Sequence, residues 1–75
     1  MTTIGVYILL CGNDRYYIGS TNDIERRLLE HQAGQEKATQ NILPVKLVLF
    51  QPCDTLVRGR QIEYRLKKNE KQTDT

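Results

Sequence analysis

Two apolar runs open the chain, Ile4 to Cys11 and Tyr16 to Ser20, with the turn signal Gly12-Asn13-Asp14 between them. Such runs around a short Gly/Asn/Asp turn predict a β-hairpin. The pattern then changes period. From Asp23 to about Ala33, apolar residues at Ile24, Leu28 and Leu29 follow a capping Asp and stop just before Gly34, which predicts an amphipathic helix. Gln35 to Leu43 is polar, has no periodicity and runs up to Pro44, so it reads as a mobile loop. Val45 to Phe50 is the strongest β-run and is expected to be a third, central strand. After Pro52-Cys53, Asp54 or Thr55 can cap a last helix running to about Lys68, followed by a polar, frayed tail from Asn69 to Thr75. The expected fold is α/β, with the elements in the order β-β-α-β-α.

Strand alternation gives the hairpin a chemical face. Gly5 and Tyr7 share one side of the first strand, and Tyr17 and Gly19 share one side of the second. If Cys11 pairs with Arg15, Leu9 faces Tyr17, Tyr7 faces Gly19, and the two tyrosines are diagonal neighbours; a two-residue slip makes them direct partners. Either way the hydroxyls stay together, and the glycines leave room for another molecule's backbone.

Helical periodicity adds three polar groups. Arg27 and His31 lie four apart, at the border of the stripe formed by Ile24 and Leu28, and lean toward the sheet. On the last helix Glu63 falls within the apolar arc of Leu56, Gly59, Ile62 and Leu66. A carboxylate there is costly unless a cation meets it. Each residue also has an ordinary structural reading. Tyr and Gly are common in hairpins, His31 suits a helix C-terminus, Arg27 can snorkel, and Glu63 can pair with Lys67. The basic run Arg58, Arg60, Arg65, Lys67, Lys68 and Lys71 can be a solvated face.

With 75 residues the chain makes one domain, spanning 1–75, and burial is limited to about 60% of the unfolded surface at this size. Any active site is therefore expected to be an open cleft for a large or extended substrate. Charged residues make up 27% of the chain, but the net charge is only +2, a mild lean toward polyanions. Cys11 and Cys53 lie far apart and there is one histidine, which argues against zinc; one disulfide is possible but not needed. No basic segment leads into an apolar run, and no apolar stretch is long enough to cross a bilayer. The expectation is a cytoplasmic protein with reduced thiols and no membrane partner.

Tyr7, Tyr17, Arg27, His31 and Glu63 can thus converge from separate elements. A phenol is a poor base at its ordinary pKa near 10, but nearby cations lower it. A lone carboxylate at a buried edge suits one Mg²⁺ or Mn²⁺, and Arg forks onto phosphate. The set suits metal-assisted hydrolysis of a phosphodiester with water attacking in line.

Gly5-Val6-Tyr7, Tyr17-Ile18-Gly19-Ser20-Thr21, Asp23-Ile24-Glu25-Arg26-Arg27 through His31, and Glu63 with Lys67 together resemble the GIY-YIG nuclease superfamily, most of all its short standalone bacterial, YhbQ-like members. The likeness covers about Ile4 to Lys68. Members of that superfamily include homing endonucleases, restriction enzymes and the 3′-incision module of the DNA-repair excision nuclease, and the resemblance implies their architecture here, a three-stranded antiparallel sheet flanked by helices. The resemblance implies that Tyr7 and Tyr17 shape the nucleophile site, one of them as or orienting the general base. Arg27 would stabilise the phosphate, His31 would assist proton transfer or phosphate contact, and Glu63 would hold the single divalent metal. Gly19, Ser20, Arg26 and Lys67 are expected substrate contacts. Two departures stand out: Asn69 comes too soon to match the Asn that often follows the metal-binding Glu, and Gln40 occupies the loop where the YhbQ-like members usually carry an Arg. Those members also usually continue with a further basic segment, whereas this sequence stops at Thr75.

The expected activity is a metal-dependent endonuclease on DNA, single-stranded or structured, with little sequence specificity. No helix shows an evident base-reading face, so a partner protein could supply specificity. The alternative is a non-cleaving nucleic-acid-binding module of the same fold. A protein-interaction domain with no nucleic-acid role is a third reading, distinguished by affinity that does not respond to salt.

Overall fold

The computed structural model describes residues 3–73, with side chains as far as Lys68. The element order is β1 (Gly5–Leu10), β2 (Tyr16–Thr21), α1 (Ile24–Gln32), β3 (Lys46–Pro52) and α2 (Leu56–Thr73). The fold is α/β, with a three-stranded antiparallel sheet in the order β2-β1-β3. The hairpin closes as the turn chemistry requires. Cys11 N donates to Arg15 O at 2.9 Å, Asp14 takes the left-handed conformation (φ 64°), and Asn13 Oδ1 accepts from Arg15 N. That turn sets the register Tyr7 opposite Gly19 and Leu9 opposite Tyr17.

The central strand is β1, not the strand of the Val45–Phe50 run. β1 is buried on both faces and hydrogen-bonds on both edges, whereas Val48 and Leu49 of β3 remain exposed. An irregularity in the β1–β3 pairing between Ile8 and Leu9 matches Ile8 to Leu49 and Leu9 to Leu47, leaving Val48 as the extra residue. An apolar run alone does not say whether one or both of its edges will be paired.

The two sheet faces carry separate cores. On one, Tyr7, Leu9, Cys11 and Val45 pack with Ile24 and Leu28 of α1. On the other, Val6, Ile18 and Cys53 pack with Ile62 and Leu66 of α2. Asp23 caps α1 by accepting from Arg26 N, and Gly34 (φ 76°) lies just past its end. Leu29, read as part of the apolar stripe, is exposed, because Ile24 and Leu28 already cover the sheet on that side. Thr55, rather than Asp54, caps α2 through Arg58 N. α2 continues to Thr73, past the predicted end near Lys68; the side chains of Asn69 and Lys71 lie outside the described ones.

The expected loop from Gln35 to Leu43 folds into successive hydrogen-bonded turns. Thr39 N and Gln40 N both donate to Glu36 O, Ile42 N donates to Thr39 O, and Gly12 N donates to Ile42 O. Thr39 has no exposed surface. Both cysteines are buried and are not joined to each other. Among the described residues, no helix is long and apolar enough to cross a membrane.

Candidate active site

Tyr7, Tyr17, Gly19, Ser20, Arg27, Glu36 and Glu63 line a polar cleft of about 150 Å³. Tyr7, Tyr17 and Arg27 reach it from the α1 side of the sheet. Ser20, on the opposite face of β2, and Glu63 reach it from the α2 side. The cleft therefore sits where the two layers meet across β2.

The hairpin register makes the tyrosines diagonal neighbours, with ring centroids 6.3 Å apart. Gly19 is what allows this packing. A Cβ there would lie 2.5 Å from the Tyr7 hydroxyl oxygen and 2.6 Å from its ring. The space at the glycines is thus used inside the protein: Tyr7 fills it at Gly19, and the Gln51 carbonyl and Phe50 ring fill it at Gly5.

Behind Tyr7 lies His31, which has no exposed surface and does not line the cleft. Its Nε2 is 3.0 Å from the Tyr7 hydroxyl and its Nδ1 is 2.7 Å from Thr39 Oγ1. Burial lowers the His31 pKa, with Glu36 opposing and Arg27 reinforcing that shift, so the imidazole is neutral near pH 7. A neutral ring has one N–H. When Nδ1 carries it and donates to Thr39, Nε2 accepts from the tyrosine O–H.

Burial also raises the pKa of both phenols, for Tyr7 with help from Tyr17. Arg27 pulls against the shift at both, and Lys67 more strongly at Tyr17, where it lies 6.0 Å from the ring centroid. Cations alone do not bring either hydroxyl down in this state.

Arg27 is half-buried and held by two carboxylates, Glu36 at 2.9 Å and Glu30 at 3.3 Å. Its Nε is buried and has no hydrogen-bond partner. A buried donor without an acceptor costs on the order of 1–3 kcal/mol. Across the cleft, Glu63 Oε1 accepts from Ser20 Oγ and Oε2 from Lys67 Nζ, both at 2.6 Å. Burial pushes the Glu63 pKa up, but the hydrogen bonds from Lys67 and Ser20 and the charges of Lys67 and Arg60 outweigh it, so its carboxyl sits below its ordinary value. The cation that an inward Glu requires and the i,i+4 partner of its ordinary reading are the same residue, Lys67.

Among the described residues, no three His, Cys, Asp or Glu side chains gather to hold a metal ion. A donor set of one carboxylate, water and substrate oxygens is nonetheless one that Mg²⁺ accepts. Each Glu63 oxygen keeps a second lone pair after its hydrogen bond, so this residue fits a single-carboxylate site.

Of the predicted site residues, Tyr7, Tyr17, Gly19, Ser20, Arg27 and Glu63 line the cleft, and Lys67 borders it. His31 touches it only through Tyr7. Arg26 is exposed and donates to Asn22 Oδ1 at 3.2 Å, outside the cleft lining. Glu36 and Thr39 were not singled out from the sequence. They stand in a polar stretch without periodicity, and only the fold brings one to Arg27 and the other to His31.

Residues 3–75 match the GIY-YIG catalytic domain model. A UPF0213 protein of Haloquadratum walsbyi is 41% identical over 63 residues, covering 83% of this chain and 71% of its own length. One from Syntrophus aciditrophicus is 42% identical over 65 residues, covering 84% and 75%. One from Bacillus velezensis is 39% identical over 62 residues, covering 81% and 63%. These names state no activity, and no solved structure matches the chain. With a catalytic-domain match over nearly its whole length and the paired tyrosines, Arg27 and Glu63 around one cleft, this chain belongs to the GIY-YIG family, a superfamily of nucleases.

Proposed function

We propose that this protein is an endonuclease that hydrolyses phosphodiester bonds in DNA, single-stranded or structured, with little sequence specificity. The observation that carries this reading is the placement of two phenols, a guanidinium with an unpartnered buried N–H, and an ionised carboxylate around one cleft. In this reading Arg27 binds the scissile phosphate, exchanging Glu36 for a phosphoryl oxygen at its Nη1. Water attacks phosphorus in line, one P–O bond forms as the opposite one breaks, and the water proton passes to a tyrosine hydroxyl. Tyr7 is suited to pass its own proton on to His31 Nε2, so His31 acts through Tyr7 and does not touch the substrate. Tyr17, beside Lys67, orients the water or the phosphate. Glu63 would hold one Mg²⁺ or Mn²⁺, which when bound polarises a phosphoryl oxygen and stabilises the leaving oxygen. Lys67 keeps Glu63 ionised and available. A shallow cleft of this kind offers few base-reading groups, so a partner protein could set the target.

A second reading, a nucleic-acid-binding module of the same fold that does not cut, is favoured by one feature: Arg27 is engaged by Glu30 and Glu36. Incubating labelled single- and double-stranded DNA with wild type, Tyr17→Phe and Glu63→Ala, each with Mg²⁺, Mn²⁺ or EDTA, separates the two. Cleavage that needs metal and is lost in both variants supports the nuclease. Salt-sensitive binding without cleavage supports the module.

A further inference from the structure

The outward face of α2 carries a second set of groups that the cleft does not use. Val57, Arg60, Gln61, Tyr64, Arg65 and Lys68 line an open groove along it. Their spacing of three and four residues puts them on one stripe, opposite Gly59, Ile62 and Leu66, which pack on the sheet. Tyr64 is 69% exposed and Val57 66%, so both present apolar surface to whatever lies in the groove. Their neighbours in the groove, among the described residues, are three cations and a glutamine, with no carboxylate.

This stripe is continuous with the cleft. Glu63 and Lys67 lie at its border, Lys67 reaches over the Tyr17 ring, and Arg60 is near enough to Glu63 to help hold its charge. A chain entering the cleft can thus cross Lys67 and Arg60 directly onto Tyr64. An exposed aromatic flanked by cations of one sign matches the two faces of an unpaired nucleotide, a flat base and an anionic phosphate. Duplex DNA hides its base faces by stacking and cannot use such a platform. An acidic peptide would satisfy the cations but leave Tyr64 without a flat partner.

We propose that the outward face of α2 is a binding track for single-stranded nucleic acid, with Tyr64 stacking on one base while Arg60, Arg65 and Lys68 hold the flanking phosphates. It deepens the nuclease reading by naming a single strand as the substrate form, and it rests on that reading for the direction of the track, though not for binding itself.

The test is fluorescence anisotropy of a labelled oligothymidine with the full chain in EDTA, so that binding is read without cleavage. Tyr64→Ala is expected to weaken binding about tenfold, while Tyr64→Phe keeps wild-type affinity. A base-free oligonucleotide of the same length is expected to bind wild type and Tyr64→Ala equally. Arg65→Gln is expected to reduce the salt slope by about 0.7, one phosphate's worth for a single strand. Tyr64 is exposed enough that its variants should keep the wild-type urea midpoint. A Tyr64→Ala protein that binds like wild type overturns the proposal, as does a Tyr64→Phe protein that loses as much, or a wild type that binds anionic vesicles and not the oligonucleotide. If binding depends on Tyr64 but no condition gives cleavage, the track stands and the nuclease reading fails.

Discussion

The Tyr7 hydroxyl lies 3.0 Å from His31 Nε2, and His31 has no exposed surface, so the one histidine of the chain meets the cleft only through a tyrosine. Its other nitrogen is tied to Thr39, which anchors the turn after α1. The pair joins the stability of the core to the chemistry of the cleft. Thr39→Val leaves a buried imidazole nitrogen without a partner. We expect a loss of about 1–3 kcal/mol in urea unfolding and a fall in cleavage rate; unchanged stability would mean that the contact is not maintained in solution.

The pH dependence of stability follows from the same residue. Burial holds the folded His31 pKa below its ordinary 6.5, so between the two values the unfolded chain binds the extra proton. Stability is then fully present above pH 6.5 and declines as the pH falls below it. Glu63 adds a loss at lower pH, because its folded pKa is also depressed and its contribution fades as the pH drops through that value. Urea midpoints from pH 8 to 4 should show a decline beginning near 6.5 that His31→Asn weakens. A flat profile down to pH 5 would contradict it.

Gly19 is occupied space. A methyl group there meets the Tyr7 hydroxyl and ring, so Gly19→Ala should displace the ring, cost about 1–3 kcal/mol and lower cleavage sharply. In a Tyr7→Phe background the stability cost of the same change should shrink, since the closest clashing atom is gone. Additive losses in the double variant would show that the hydroxyl contact is not the cause.

Much of this arrangement was legible from the chain. The Gly-Asn-Asp turn and strand alternation put both tyrosines on one face in two possible registers, of which the structure takes the one that makes them diagonal neighbours and pairs Tyr7 with Gly19. The 3.6-residue period brought His31 and Glu63 inward. What escaped the sequence was set by long-range contact. β3 reads as a core strand because its residues are apolar, yet its partner β1 takes the centre. Leu29 reads as buried, but Ile24 and Leu28 are the apolar residues of α1 that pack on the sheet, and Leu29 is exposed. Glu36 and Thr39 had no local signal, because their roles depend on turns that close only when the Ile42 carbonyl meets Gly12 N.

Glu36 occupies Arg27 in the free protein. Glu36→Gln removes that competitor, so binding of a short oligonucleotide should tighten several-fold, while stability changes by less than about 1 kcal/mol because both side chains are partly exposed. Isothermal titration with a non-cleavable phosphorothioate strand would read the effect. Unchanged affinity would place the phosphate elsewhere.

Ser20 and Lys67 together hold the Glu63 carboxyl ionised. Ser20→Ala removes one 2.6 Å hydrogen bond and should shift the acid limb of the cleavage profile to higher pH, leaving the plateau rate closer to wild type than Glu63→Ala does. An acid limb that stays in place would mean that another group controls it.

The most direct test of the central claim is the rate of single-stranded DNA cleavage measured against Mg²⁺ concentration for wild type and Glu63→Gln. The expected result is a saturable metal dependence in wild type that Glu63→Gln abolishes or moves to much higher concentration. Cleavage that proceeds equally in EDTA, or a variant whose metal curve overlays that of wild type, would contradict the assignment of Glu63 as the metal-holding carboxylate of a phosphodiesterase site.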